Sequence, residues 1–343
     1  MLSQSWETPM AGRHRTIPIF VPHLGCPQDC LFCNQKRITG QIESMTPEKA
    51  RDIIRRGVQS RQSGDFVEVG FFGGSFTGIP VSQQEAFLSL AQEALRAGEI
   101  DGIRLSTRPD YIDEAVLDRL ARFGVTTVEL GAQSMDDMVL ELCHRGHTAS
   151  QTVQAAEAIK AKGFSLGLQM MIGLPGDSKE TSLQTAEIFA QLKPQCVRIY
   201  PTLVIRDTAL FELYRKDKYQ PLSLEDAVEI CADLYRIFSR EQIEVIRMGL
   251  LEMEPNSVAS GPFHPAFGEL VLSRACLIEL RDKMKAVKGK RVQIRTNPRC
   301  VSILVGQKRE NIAHLYREFS LDHIEIIQDA SLPEGEFALF EQK

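Results

Sequence analysis

No run of 18 apolar residues occurs in the chain, which excludes a helix apolar enough to cross a membrane. The first residues, MLSQSWETPMAG, have no basic stretch followed by an apolar one. A secretory signal is therefore not expected, and the cytoplasm is the expected compartment. Eight cysteines in 343 residues are too few for a disulfide scaffold. There is no low-complexity tract and no repeat beyond an alternation of strand-like and helix-like segments. An apolar share of 43% and a charged share of 25% exclude disorder, collagen and coiled coil as whole-chain descriptions. The length suggests about two domains, or one large one with an appendage.

Short apolar runs of strand length recur at Ile17 to Pro22, Phe66 to Phe72, Ile103 to Ser106, Thr126 to Leu130, Ser165 to Ile172 and Cys196 to Pro201, with a seventh at Ile243 to Met248. They are rich in Val, Ile and Phe without strict alternation, as strands covered on both faces are. Helical stretches lie between them. Thr46 before Pro47, Thr148 with Gln151, and Ser223 with Asp226 read as helix starts. Gly64, Gly98, Gly124 and Gly163 read as helix ends. The predicted fold is α/β: a partial or full β/α (TIM-like) barrel of about six parallel strands, with a small C-terminal α/β extension. The predicted division is 1–253 for the barrel and 254–343 for the extension. In the extension the pattern gives a helix from Gly268 to Lys288, a strand near Arg291 to Arg295, a helix near Asn311 to Phe319 and a strand near His323 to Gln328.

Three cysteines fall within eight residues. Cys26, Cys30 and Cys33 form CxxxCxxC in a polar loop after the first strand. Thiolates at such spacing hold iron–sulfur clusters, and three of them leave one iron of a 4Fe–4S cubane open to another ligand. A structural zinc site needs a fourth ligand, for which His23 or Cys143 would serve. The other cysteines (Cys143, Cys196, Cys231, Cys276, Cys300) show no CxxC-type spacing and read as buried small apolar residues. Gly70 and Gly73 have the wrong spacing for a dinucleotide fingerprint.

The cysteine motif, with Phe32 before its third cysteine and a β/α strand before its first, resembles the radical SAM superfamily. Further motifs carry the resemblance along residues 17 to 250. Gly73-Gly74-Ser75 after the second strand resembles the family's glycine motif, whose backbone holds the methionine amino group of S-adenosylmethionine. Ser75 stands where relatives often have Glu. Gln133 and Arg145, twelve residues apart in Glu129-Leu130-Gly131-Ala132-Gln133 and Arg145-Gly146-His147-Thr148, resemble the branch with oxygen-independent coproporphyrinogen oxidase and the Elongator catalytic subunit. The resemblance gives Gln133 a ribose contact and Arg145 the cofactor carboxylate, which suits a guanidinium fork. Gln169, Met171 and Gly173 match the run that packs on adenine and ribose; some relatives have an acid at Gln169. Ser106-Thr107-Arg108-Pro109-Asp110 and Tyr200-Pro201-Thr202-Leu203-Val204 are similar to the Elongator subunit, although relatives carry Glu at Ser106. That subunit continues into an acetyltransferase domain, which a chain ending at Lys343 is expected to lack. Only 25 residues precede Cys26, which disfavours coproporphyrinogen oxidase itself.

The resemblance implies one 4Fe–4S cluster on Cys26, Cys30 and Cys33, with bound S-adenosylmethionine cleaved reductively to a 5′-deoxyadenosyl radical that takes hydrogen from a substrate. It implies oxygen sensitivity and an electron donor such as flavodoxin or ferredoxin. Residues 281 to 310 hold ten Lys or Arg and two acids, so a +8 segment sits in a chain of net charge −5. Such a segment marks either an anionic partner or a solvated face. Lys308 and Arg309, at a helix start, make an anion site, without the GxxG clamp of a KH module or an aromatic ladder. Three functions follow: radical modification of RNA, tRNA above all, bound through that segment; radical chemistry on a small anionic metabolite such as a tetrapyrrole; or a non-catalytic Fe–S and S-adenosylmethionine-binding protein.

Overall fold

The computed structural model describes residues 13–21, 30–33, 45–249 and 255–342. Cys26 and His23 lie outside the described residues.

Seven strands form one sheet: β1 (His14–Phe20), β2 (Phe66–Phe72), β3 (Gly102–Thr107), β4 (Thr127–Gln133), β5 (Ser165–Ile172), β6 (Cys196–Pro201) and, after a two-residue β7 (Val204–Ile205), β8 (Glu244–Met248). The order is β1-β2-β3-β4-β5-β6-β8, and every pairing in it is parallel. Each crossover carries helical chain where it is described, as parallel neighbours require. Among the described residues β1 and β8 do not pair, so the curled sheet is an open, partial barrel with seven strands where about six were expected.

The crossover helices start where side chains can satisfy their first amides. Thr46 caps Pro47–Gln59 and Ser223 caps Leu224–Arg240, each through its hydroxyl. Thr148 and Gln151 form a reciprocal capping box on Ala149–Ala161. Asp113, not singled out in the sequence, caps Glu114–Arg122. Gly98, Gly124 and Gly163 sit in left-handed turns directly behind their helices. Gly64 is a correction: Ser60 ends that helix, and Gly64 turns the chain a few residues later.

Alternate strand residues divide the sheet into two faces. Val69, Phe71, Ile103, Leu105, Val128, Leu130, Leu168 and Ile199 face the helices in the main core and are inaccessible or nearly so. The opposite, concave face carries Glu68, Arg104, Glu129, Gln169 and Arg198.

Beyond residue 255, β9 (Val258–Ser260) pairs antiparallel with β7. Helix Phe267–Met284 begins one residue earlier and stops sooner than expected. Then follow β10 (Arg291–Thr296), helices Val301–Val305 and Glu310–Phe319, β11 (His323–Gln328) and β12 (Phe337–Glu341). β10 is central, parallel to β11 and antiparallel to β12. A second core of Leu277, Leu280, Met284, Val292, Ile294, Leu304, Ile312 and Leu315 lies beneath this sheet. The long helix serves both cores, since its Phe267, Val271 and Ala275 belong to the first. Asn311 pins the module by donating through Nδ2 to the carbonyls of Ser273, Ile303 and Leu304 at 3.1–3.2 Å.

Candidate active site at the strand ends

The predicted site residues that the structure describes lie at or near the C-terminal ends of the strands. Cys30 is buried and Cys33 half-buried on a tight turn, with the Cys33 amide donating to the Cys30 carbonyl at 3.0 Å. Neither is in a disulfide. The turn is tied to the barrel by the Leu31 amide, which donates to the Cys143 carbonyl at 3.2 Å, and by the Leu31 carbonyl, which accepts from Leu210 at 2.8 Å. Phe32 and Met171 pack on Val139, Cys143 and Leu174. Burial, then the neighbouring Cys30, pushes the Cys143 thiol up to about 12.

Arg145 joins the cysteine turn to the sheet. One guanidinium nitrogen lies 3.3 Å from Cys30 Sγ, and another donates to the Gly131 carbonyl at 2.6 Å. Its Nε is buried and, among the described residues, has no partner; the same holds for Gln133 Oε1. Gln133 stands at φ 69 beyond a register shift between β4 and β5. Gly131 makes room for this, because a Cβ there would lie 2.9 Å from Gln133 Nε2.

Gly73 and Gly74 have φ of 87° and 97°, conformations open to glycine, and they leave bare backbone at the end of β2. Ser75 is buried and turned away. Its Oγ lies 2.7 Å from Thr107 Oγ1 and accepts from the Arg108 amide. Gly173, at φ 72, is held by Asp177 on its amide and Tyr219 on its carbonyl. Gln169 is committed: its Nε2 donates to Glu129 Oε2 at 2.8 Å and to Ser106 Oγ at 3.0 Å.

Sequence reading passed over the charged layer beneath. Glu129 is 1% exposed and receives Arg198 on both oxygens (2.7 and 3.0 Å), Arg104 (2.8 Å) and Gln169. Arg104 also reaches Glu68 at 2.6 Å, and Glu68 accepts from Thr16. Arg198 lies over the Phe72 ring, 5.5 Å from its centroid. Burial would raise the Glu129 pKa, but Arg198 and Arg104 outweigh it and hold the carboxyl below its ordinary value. The signal was present: single charges at alternate positions inside apolar strands, as in Phe66-Val67-Glu68-Val69.

The donor set fits an iron–sulfur cluster and its cofactor. Thiols share a turn beside a guanidinium, bare glycine backbone lies on a neighbouring strand end, and Arg145 Nε and Gln133 Oε1 are buried with bonding capacity to spare. Among the described residues no three His, Cys, Asp or Glu gather as a metal group; Cys26, the first cysteine of the motif, lies outside them.

Comparison with known proteins agrees with this geometry. The model of the radical SAM superfamily matches residues 20–189, and that of the Radical_SAM C-terminal domain matches 194–275. The chain belongs to the radical SAM superfamily. As a radical SAM enzyme it has that superfamily's cofactors, a 4Fe–4S cluster and S-adenosylmethionine. It is 31% identical over 184 residues to a tRNA uridine(34) acetyltransferase of Methanocaldococcus jannaschii, covering 48% of this chain and 34% of that one. It is 29% identical over 246 residues to human Elongator complex protein 3, covering 66% and 45%. The chain thus spans about a third to under half of the length of these relatives. Among solved structures, archaeal Elp3 of Methanocaldococcus infernus superposes with a TM-score of 0.61 at 23% identity, over 80% of this chain and 64% of that one. This radical SAM enzyme shares that fold.

Four of the ten cations of the basic segment are held in ion pairs. Arg281 pairs with Glu318, Lys283 with Glu279, Lys285 with Asp282 and Arg299 with Glu334. Lys288, Lys290, Arg291, Arg295, Lys308 and Arg309 are exposed, with no ion pair among the described residues. Lys308 and Arg309 occupy consecutive left-handed positions (φ 50 and 62) before helix Glu310–Phe319. No helix among the described residues is long and apolar enough to cross a membrane.

Proposed function

We propose that this radical SAM enzyme modifies tRNA by hydrogen abstraction, with residues 1–253 as the radical domain and 254–343 as an extension that meets the RNA. When bound, the cluster and cofactor supply reductive cleavage of S-adenosylmethionine to methionine and a 5′-deoxyadenosyl radical. The observation that carries the reading is Arg145, whose guanidinium lies against Cys30 Sγ and the β4 end while Nε stays unpartnered.

The residues divide the work. Cys26, Cys30 and Cys33 hold the cluster. Arg145 offers its spare donor to a carboxylate, a charge-assisted bond. Gly73 and Gly74 offer backbone to the amino group, and the buried Ser75 braces that turn through Thr107. Gln133 offers an acceptor to a ribose hydroxyl. Phe32, Met171 and Gly173 line an apolar wall for the nucleoside. Gln169 orients Glu129 rather than reaching the ribose. A flavodoxin- or ferredoxin-like protein is the expected reductant.

Support for RNA comes from the names of the relatives and from the six exposed cations of the basic segment that have no ion pair among the described residues, which suit phosphates. Chemistry on a small anionic metabolite is the second reading, because the same cations suit carboxylates. The test is anaerobic reconstitution. Four irons per chain and 5′-deoxyadenosine after dithionite and S-adenosylmethionine, both lost in Cys30→Ala, are expected. Retention of tRNA should weaken steeply with salt and weaken at fixed salt in a Lys308→Ala/Arg309→Ala variant. Unchanged retention in that variant would overturn the RNA surface. Intact cluster binding without cofactor cleavage would overturn the radical reading.

A further inference from the structure

Arg145-Gly146-His147 grips two successive carbonyls of one strand. Gly146 has φ 70, which turns the chain so that the side chains on either side of it both meet β4. Arg145 donates to the Gly131 carbonyl at 2.6 Å, and His147 Nε2 meets the Ala132 carbonyl at 3.2 Å. A carbonyl only accepts, so Nε2 carries the proton. These two residues sit where the β4 register slips, with Gly131 opposite Gln169 but Gln133 opposite Met170. Such bulges re-aim side chains at strand ends. The residue re-aimed here is Gln133, at φ 69. A left-handed conformation is unfavourable for a non-glycine residue and persists only where the surroundings impose it. His147 is 5% exposed, and its Nδ1 has no partner among the described residues. Burial, then the Arg145 charge, lowers its pKa to about 4; Asp110 and Arg108 are the other charges that face it. The ring therefore stays a neutral single donor at working pH.

We infer that His147 is a positioning residue for the cofactor nucleoside: by clamping the Ala132 carbonyl it holds the β4 bulge that aims the Gln133 amide into the site. It touches no reacting atom. The inference rests on the proposed Gln133 contact.

The test is equilibrium binding of S-adenosylmethionine to anaerobically reconstituted, unreduced enzyme, with iron content as the check on folding. Gln133→Ala should weaken binding about five- to tenfold, the worth of one hydrogen bond. His147→Asn, whose amide cannot reach the Nε2 position, should match that loss. His147→Gln, whose terminal amide can, should restore binding to within about twofold of the parent. Adding Gln133→Ala to His147→Asn should cost nothing more, because the two act as one unit. Losses that multiply, or equal binding by the Asn and Gln variants, would overturn the positioning role. Gln133→Ala with parental affinity would instead overturn the nucleoside contact itself, a distinct result.

Discussion

Glu129 is satisfied by three side chains on three other strands, Arg104, Gln169 and Arg198, and is almost without solvent. Removing one partner from such a cluster leaves buried charge uncompensated, at about 3–5 kcal/mol. Glu129→Leu should lose about that much stability in urea titration, and a loss below about 1 kcal/mol would show that the cluster is not a unit. The carboxyl is held below its ordinary value in the fold, so its contribution is complete above the unfolded value of about 4.3 and fades as pH falls below it. An acid titration of the Glu129→Leu variant should therefore be flatter below about pH 5 than that of the parent. At this scale the motif residues were legible because their chemistry is rare: closely spaced cysteines, paired glycines and an Arg twelve residues from a Gln. Gln169 was legible in position but its hydrogen bonds were not, since its partner Ser106 lies 63 residues away in the chain.

The strands were legible where apolar runs are bounded by turn residues. Phe66–Phe72, Ser165–Ile172 and Cys196–Pro201 fall on the expected bounds, and β4 runs to Gln133, past the expected Leu130. That overrun hides the bulge, which depends on Arg145 and His147 from a later segment and leaves no local mark. β12 and the β7–β9 pair were missed. β12 has five residues behind a Pro-Glu-Gly turn, and β7 and β9 have two and three, below the length at which periodicity can be read. Helix starts carried stronger signals. Thr148→Ala removes half of a reciprocal capping box and should cost about 1 kcal/mol, read as a lower urea midpoint at unchanged slope. A changed slope would point to an altered unfolded state instead.

Over the whole molecule two cores meet in one helix. Leu280 belongs to the second core and is inaccessible, so Leu280→Ala should cost about 2–5 kcal/mol there. Hydrogen exchange should then quicken in β10 and β11 while β3 to β5 keep their protection. Equal quickening throughout would mean that the cores unfold together. The α/β alternation announced the barrel because each unit is local, whereas the openness of the sheet is a property of its two ends and is written in no single segment. Helix Phe267–Met284 has a consequence for how load travels. Phe267 is seated in one core and Met284 in the other, along an unbroken rod of 18 residues. A tug on the C-terminal sheet is therefore passed to the barrel along that rod, as a lever passes it, by tilting.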